Sequence, residues 1–356
     1  MLSYLRRLPI WRALPLVLLF ALAFTVVAVT LSLMLRARSP APDMLTLSPK
    51  LTHYQSHAAE YDTVFIGTSR TLYHIVPARF EEGALAAGCP DLKAFNFGVH
   101  GLNGTEEDWL IDQVMTAGAG HLQNIVLEDP LPEAREFPQA TSERARYFHG
   151  PDQYGSILSS IWSFPEIKPK HVFRTGVFAV GAGYDLSGIG RASGLVFPDP
   201  DQSDVFVMDL TEDGFEALDE VTSDGIVARR ELFLEGADEF ANIISAYDPH
   251  ASVPNLEARV DYNLAQLQRI EAAGIRTAFY VSPDPMELGR TPLVGKGIAA
   301  REPTRTVLNY NQPDFYPHLF ERAIWQDFSH YSRIGAETLS FEIGRDLCEQ
   351  AGWGPE

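Results

Sequence analysis

Between Leu14 and Leu35 the chain runs 22 positions without a charged residue, LPLVLLFALAFTVVAVTLSLML. No other feature restricts the fold as strongly, because a run of that length is enough, as a helix, to cross a bilayer. It exceeds the apolar core of a cleaved signal peptide, and Arg36 and Arg38 follow it in place of a small-residue cleavage site. An uncleaved anchor is therefore expected, with the inner membrane as its partner through residues 14–35. Arg6, Arg7 and Arg12 precede the span and two arginines follow it. The positive-inside rule then favours a cytoplasmic N-terminus over residues 1–13 and a periplasmic or extracytoplasmic remainder.

The first 38 residues hold five arginines and no acid, so of 28 basic and 47 acidic side chains the remainder keeps 23 and 47, a formal charge of −24. Such a surface repels phosphate backbones, which argues against nucleic acid as a partner without excluding a local basic pocket. The 46% hydrophobic content of 356 residues is ample for a large buried core. Cys89 and Cys348 lie far apart in sequence; an oxidising compartment would permit a bridge, and two buried free thiols are the other reading.

Residues 36–52, with the Pro- and Ser-rich stretch SPAPDMLTLSPKL, suit a tether, and a single domain is expected over 53–356. Three short β-type runs open it: Thr63 to Ile66, Ala94 to Phe97 and Asn124 to Leu127. Between the first two, Pro77 starts a helical stretch that Gly88 ends. Between the second and third, Thr105 precedes the acidic turn Glu106-Glu107-Asp108, a helix N-terminus by capping and dipole. This βαβαβ alternation implies an α/β fold with a parallel sheet and right-handed crossovers. The pattern resumes with Leu256, Val260, Leu264, Leu267 and Ile270 at helical spacing, the strand Ile275 to Ser282, a weaker strand at Thr306-Val307-Leu308, and a closing helix marked by Ala336, Leu339, Ile343 and Leu347. About five parallel strands result. Residues 130–254 have no sustained period and read as a large insertion over the sheet's edge or catalytic end, with unassigned structure in parts such as Val172 to Val180.

In an open parallel sheet, functional groups gather at the carboxyl ends of strands. Ser69 stands there, after Val64-Phe65-Ile66-Gly67-Thr68. A serine hydroxyl needs a base, and the base an orienting partner. Asp327-Phe328-Ser329-His330 supplies both, since a carboxylate three residues before a histidine can take its Nδ1–H and leave Nε2 for the serine proton. Asp314 and His318 have similar composition and form a decoy. After the second strand, Asn96-Phe97-Gly98-Val99-His100-Gly101-Leu102-Asn103-Gly104 allows close backbone approach to a substrate, and the Gly101 N–H is a candidate oxyanion donor.

In this order the elements resemble the blocks of the SGNH, or GDSL-like, hydrolase superfamily: Gly67-Thr68-Ser69, then Asn96 to Gly101, then Asp327 to His330. The resemblance implies a three-layer, flavodoxin-like sandwich around a central parallel sheet. It makes Ser69 the nucleophile, Ser69 and Gly101 oxyanion-hole donors, His330 the base and Asp327 its orienter. The family's third block places an asparagine donor after strand three. Here the chain reads Leu127-Glu128-Asp129-Pro130, so that donor is missing and Asn103 is the nearest substitute. Loss of one donor typically lowers rate by roughly two to three orders of magnitude.

One span, an outward SGNH-like domain, a long insertion and a D-x-x-H-Y ending also resemble the envelope proteins that accompany membrane-bound O-acyltransferases. That implies a membrane-bound O-acyltransferase partner, a carbohydrate polymer substrate and transfer or hydrolysis of acyl esters, acetyl foremost. The rival expectation is a catalytically silent envelope protein that keeps the fold for binding polysaccharide or supporting its assembly.

Other sites fit less well. Thr71 replaces the second glycine of the α/β-hydrolase elbow. Gly289, Gly295 and Lys296 miss P-loop spacing, and Gly181 with Gly183 lacks the third glycine of a dinucleotide fingerprint. No paired cysteines or H-E-x-x-H motif point to a metal, and no cofactor is expected. Glu128 and Asp129 do not form an acid–base pair, since neighbours on a strand face opposite ways.

Overall fold

β1 (Thr63–Gly67), β2 (Ala94–Gly98) and β3 (Asn124–Glu128) are buried along their whole length. They are mostly apolar without alternation, the pattern of strands covered on both faces, with Asn96, Asn124 and Glu128 as buried polar exceptions. In this computed structural model, which describes residues 10–36, 46–89, 91–102, 104–128, 169–186, 211–248, 256–288, 292–351 and 353, they pair with β4 (Arg276–Val281) and β5 (Val307–Asn309). The result is one parallel sheet of five strands in the order β2-β1-β3-β4-β5. β1 pairs with β2 from Thr63↔Ala94 to Gly67↔Gly98, and with β3 from Thr63↔Asn124 to Ile66↔Leu127. The chain leaves β1 first toward β2 and returns to its other side as β3. The crevice above the carboxyl ends of β1 and β3 is therefore the topological switch point, where open α/β sheets bind their ligands.

The chain divides into two compact units, Met1–Pro42 with Glu136–Gln202 and Asp43–Arg135 with Ser203–Glu356. In the first unit, α1 (Ile10–Arg36) is long and apolar enough to cross a membrane, and large apolar side chains from Leu14 to Leu31 are exposed. The insertion read as one segment is thus shared between the units. Its stretch around Val172 to Val180 is helical, belonging to a helix over Pro169–Leu186 that packs against α1.

The second unit begins before residue 53. A helix, α2 (Leu47–His57), starts within the expected tether and buries Leu47, Lys50, Leu51 and Tyr54. Pro and Ser content described the composition of this stretch correctly, but the apolar positions at 47, 51 and 54 already follow helical spacing. After β1 come α3 (Ser69–His74) and α4 (Pro77–Ala86), and α5 (Gly104–Ala117) lies between β2 and β3. α6 is the helix Pro169–Leu186 of the first unit; α7 (Asp224–Glu235), α8 (Ala237–Ser245), α9 (Leu256–Glu271), α10 (Pro292–Arg301) and the closing α11 (Arg333–Ala351) follow.

Phe65, Val126, Ala278 and Tyr280 of the sheet share one apolar cluster with Phe80 and Ala84 of α4 and Leu339, Ile343 and Leu347 of α11. Fully burying a side chain of this size contributes about 1.5–3 kcal/mol. α4 and α11 cross so closely that a Cβ on Gly83 would collide with the Phe341 carbonyl oxygen, and one on Gly344 with that of Phe80. A disulfide between Cys89 and Cys348, with Cα atoms 5.7 Å apart, ties the same two segments. It resolves the choice between bridge and free thiols that sequence left open.

Candidate functional site

The nucleophile candidate stands where the strand signal stops. Thr68 caps α3, its hydroxyl accepting from Arg70 N at 3.2 Å, and Ser69 is the first helical residue. The other amides of this turn are taken: Thr68 N and Thr71 N donate to Glu128 Oε2, and Leu72 N donates to the Thr68 carbonyl. Among the described residues, the Ser69 N–H has no such acceptor, as an oxyanion donor requires.

His330 arrives from the far end of the sequence, in a tight loop between Trp325 and Tyr331, which form an antiparallel bridge. Ser69 Oγ lies 2.9 Å from His330 Nε2, and His330 Nδ1 lies 3.0 and 3.1 Å from the two Asp327 oxygens. A carboxylate only accepts hydrogen bonds, so the ring proton belongs on Nδ1 and Nε2 is left to accept from Ser69. Asp327 Oδ1 also accepts from Ser329 N and His330 N, both at 2.8 Å, so the same atom shapes the loop and orients the ring. Burial pushes the Asp327 carboxyl up, but the His330 ring, the Ser329 amide and the Arg229 charge together outweigh it and hold the group below the usual carboxylate range. The structure brings Ser69, Asp327 and His330 together.

The decoy is separated out. His318 bonds Glu342 at 2.6 Å. Gly101 lies in the turn after β2, exposed and at φ 56°, a left-handed conformation that glycine adopts at no steric cost. Asn103 lies outside the described residues.

Several supporting residues gave little or no signal in the sequence. Glu128 ends β3 and is buried, and its oxygens accept from Thr68 N at 2.7 Å, Thr68 Oγ1 at 3.0 Å, Thr71 N at 3.2 Å, Thr71 Oγ1 at 2.7 Å and Arg70 Nε at 2.7 Å. Arg70 reaches on to Asp284 Oδ2, also at 2.7 Å. A Cβ on Gly67 would collide with Glu128 Oε2 and Thr71 Oγ1, so that glycine makes room for the carboxylate. An acid closing a strand with an apolar middle, Ile125-Val126-Leu127, was the available signal for Glu128.

Asn96 of β2 acts from the side: its Nδ2 donates to the carbonyls of Thr71, Leu72 and Ile75 at 2.8, 3.2 and 2.6 Å, satisfying the open end of α3. Its own Oδ1 accepts from Gly98 N. Buried Lys50 donates to the Asn96 and Gly98 carbonyls at 2.9 and 2.8 Å, and burial pushes its ammonium pKa well down against the opposing charges of Glu216 and Asp213.

His74, fully buried on α3, accepts from Tyr331 N at 3.1 Å, so its Nδ1–H donates to Ser282 Oγ at 2.7 Å. Burial, helped by the charges of His330 and Arg70, pushes His74 well below the ordinary histidine value and keeps it neutral. Tyr73 stands edge-on to the His330 ring, and its hydroxyl meets His100 Nε2 at 2.8 Å.

The insertion also contributes. Asn96 N donates to the Asp213 carbonyl at 2.8 Å, placing residues 211–215 along the free edge of β2. From α7, Arg229 comes within 3.9 Å of Asp327, and Arg230 donates to the carbonyls of Trp325 and Gln326. Phe233 and Phe240 pack around Phe328. These contacts lie about a hundred residues apart in sequence, and no local pattern announces them.

Among the described residues no group of three or more His, Cys, Asp or Glu side chains is placed to hold a metal ion. The arrangement has the parts of a nucleophilic serine, a base and an orienting carboxylate. No protein-family model matches this chain, and no curated protein is significantly similar to it.

Proposed function

We propose that this protein is a membrane-anchored, extracytoplasmic serine acyltransferase or esterase acting on acyl esters, acetyl foremost, of an envelope or exported carbohydrate. The observation that carries the reading is the 2.9 Å contact between Ser69 Oγ and His330 Nε2, with Asp327 behind the ring. Ser69 at the sheet's switch point supports it, as does the strand order, which fits a three-layer sandwich of the SGNH type. The apolar helix α1 supports anchoring, and the Cys89–Cys348 bridge favours an oxidising exterior.

In the proposed reaction His330 Nε2 takes the Ser69 proton as Oγ attacks the acyl carbonyl, and the Ser69 N–H faces the developing oxyanion. Asp327 stabilises the imidazolium. Collapse of the tetrahedral species breaks the bond to the donor oxygen, which leaves with the proton from His330. A sugar hydroxyl or water, deprotonated by the same nitrogen, then resolves the acyl-enzyme. A membrane-bound O-acyltransferase partner would make transfer to a polymer hydroxyl the outcome.

The test is a fluorophosphonate probe on the full chain in detergent, with the adduct located by mass. Labelling at Ser69 is expected, and Ser69→Ala and His330→Ala should each abolish it. A folded chain that stays unlabelled would favour an envelope protein that binds polysaccharide without catalysis.

A further inference from the structure

Glu128 stands where the family pattern places an oxyanion donor, yet among the described residues its contacts point beneath the nucleophile rather than toward substrate. Five donors from three residues converge on its two oxygens: the amides and hydroxyls of Thr68 and Thr71, and Arg70 Nε. These residues surround Ser69 on both sides in sequence. Tyr280 of β4 extends the support: Thr71 Oγ1 donates to Glu128 and so accepts from the Tyr280 hydroxyl at 2.7 Å. Arg70 carries it to Asp284, whose amide donates to Asn311 Oδ1 and whose Oδ1 accepts from Met286 N. The Ser69 turn is thereby pinned to the ends of β3 and β4 as well as to its own strand.

We propose that Glu128 is a positioning residue, holding the Thr68–Thr71 turn so that Ser69 Oγ stays within reach of His330. This rests on the reading of Ser69 as the nucleophile. An ionised carboxylate suits the task because it only accepts and offers about four lone-pair directions, whereas a side-chain amide would turn two donors toward a ring of donors. The buried charge is offset by Arg70, itself largely buried at 13% side-chain exposure, so the pair forms a unit whose single-partner loss is costly. The site has thus exchanged a donor that would stabilise the oxyanion for an acceptor that orders the nucleophile. Its remaining rate enhancement depends on geometry, where small misplacements can cost about 10²-fold.

The experiment uses the full chain in detergent and compares wild type with Glu128→Gln and Thr71→Val, the second removing only one of the five donors. Labelling rate against probe concentration, the fraction of chains that label, and amide exchange at Thr68 and Thr71 are read together. Positioning predicts that Glu128→Gln lowers the maximal labelling rate about 10²-fold, and Thr71→Val about tenfold, with half-saturating probe unchanged and both amides exchanging at least tenfold faster. If the labelling-competent fraction falls while surviving molecules label at the wild-type rate, Glu128 serves stability alone and the proposal is overturned. Should Glu128→Gln not fold, Thr71→Val decides by the same measurements. If wild type itself is unlabelled, the nucleophile reading fails, and exchange decides separately whether Glu128 orders the turn: unchanged protection in the variants overturns that too.

Discussion

The turn that carries Ser69 is held from beneath by charge, whereas the loop that carries His330 is held by backbone bonds and aromatic packing. In the turn, one carboxylate gathers the amides and hydroxyls of Thr68 and Thr71 and pairs with Arg70. In the loop, Gln326 N donates to the His330 carbonyl at 2.8 Å, Tyr331 N donates to His74, and Trp325 and Tyr331 are buried with their polar atoms both on the Leu319 carbonyl. The difference follows from sequence distance. A turn at a strand end has its neighbours on adjacent strands, where one side chain can reach several donors. A loop joined to α11 must instead be fastened to what packs over it, including α7 from the insertion.

The sharpest way to break this comparison is Asp327→Asn, because the Asp327 carboxylate both shapes the loop and orients its ring. An asparagine oxygen can still accept from Ser329 N and His330 N, so the loop should keep its shape while the ring loses its orienting anion. We expect labelling of Ser69 to fall about 10³–10⁴-fold, with little change in Tm. A large Tm loss alongside would mean that the loop, too, is built on that charge.

Removing the disulfide tests the loop's foundation instead. Cys89→Ser with Cys348→Ser unties α11 from the segment after α4, and we expect a loss of about 2–5 kcal/mol in unfolding free energy. Labelling measured well below Tm should change little, since neither cysteine touches the Ser69 turn. Arg230→Ala is milder: losing its bonds to the Trp325 and Gln326 carbonyls should cost about 1.5–3 kcal/mol. It should slow labelling by loosening the loop while leaving exchange at Thr68 and Thr71 unchanged.

The smallest effect is graded with pH and concerns His74, the residue that touches both regions. Its folded pKa lies well below the ordinary value of 6.5. Above about pH 6.5 the histidine is neutral in both folded and unfolded chains, and its full contribution is present. As pH falls below that, the unfolded chain binds a proton that the fold does not. Stability should drain by up to about 1.4 kcal/mol per pH unit until the folded pKa is reached. Denaturant titrations from pH 7.5 to 5 should show this slope, and His74→Gln should flatten it.

Much of this could be read in advance, and the reasons are local. Thr63 to Ile66, Ala94 to Phe97 and Asn124 to Leu127 announce themselves because strands buried on both faces are mostly apolar rather than alternating. Asp327 and His330 were legible because their contact closes within one tight turn. The start at Leu47 was missed because prolines and serines around it outweighed three apolar positions in helical spacing. Glu128 was seen only as a departure from a pattern, because its partners sit on residues 68 to 71 and nothing in its own neighbourhood names them.

Sequence alone determined the apolar span and the parallel sheet and put forward Ser69, Asp327 and His330 as candidates, because each depends on periodicity or spacing within a few residues. Tertiary structure decided that Ser69 and His330 meet across 261 positions, that Cys89 and Cys348 pair, and that Asn96, Lys50, His74, Glu128 and Arg230 serve as supports. Those are questions of which buried polar atoms find partners. Burial makes every such atom costly until it is bonded, and only the completed fold fixes which distant donor or acceptor stands within about 3 Å of it.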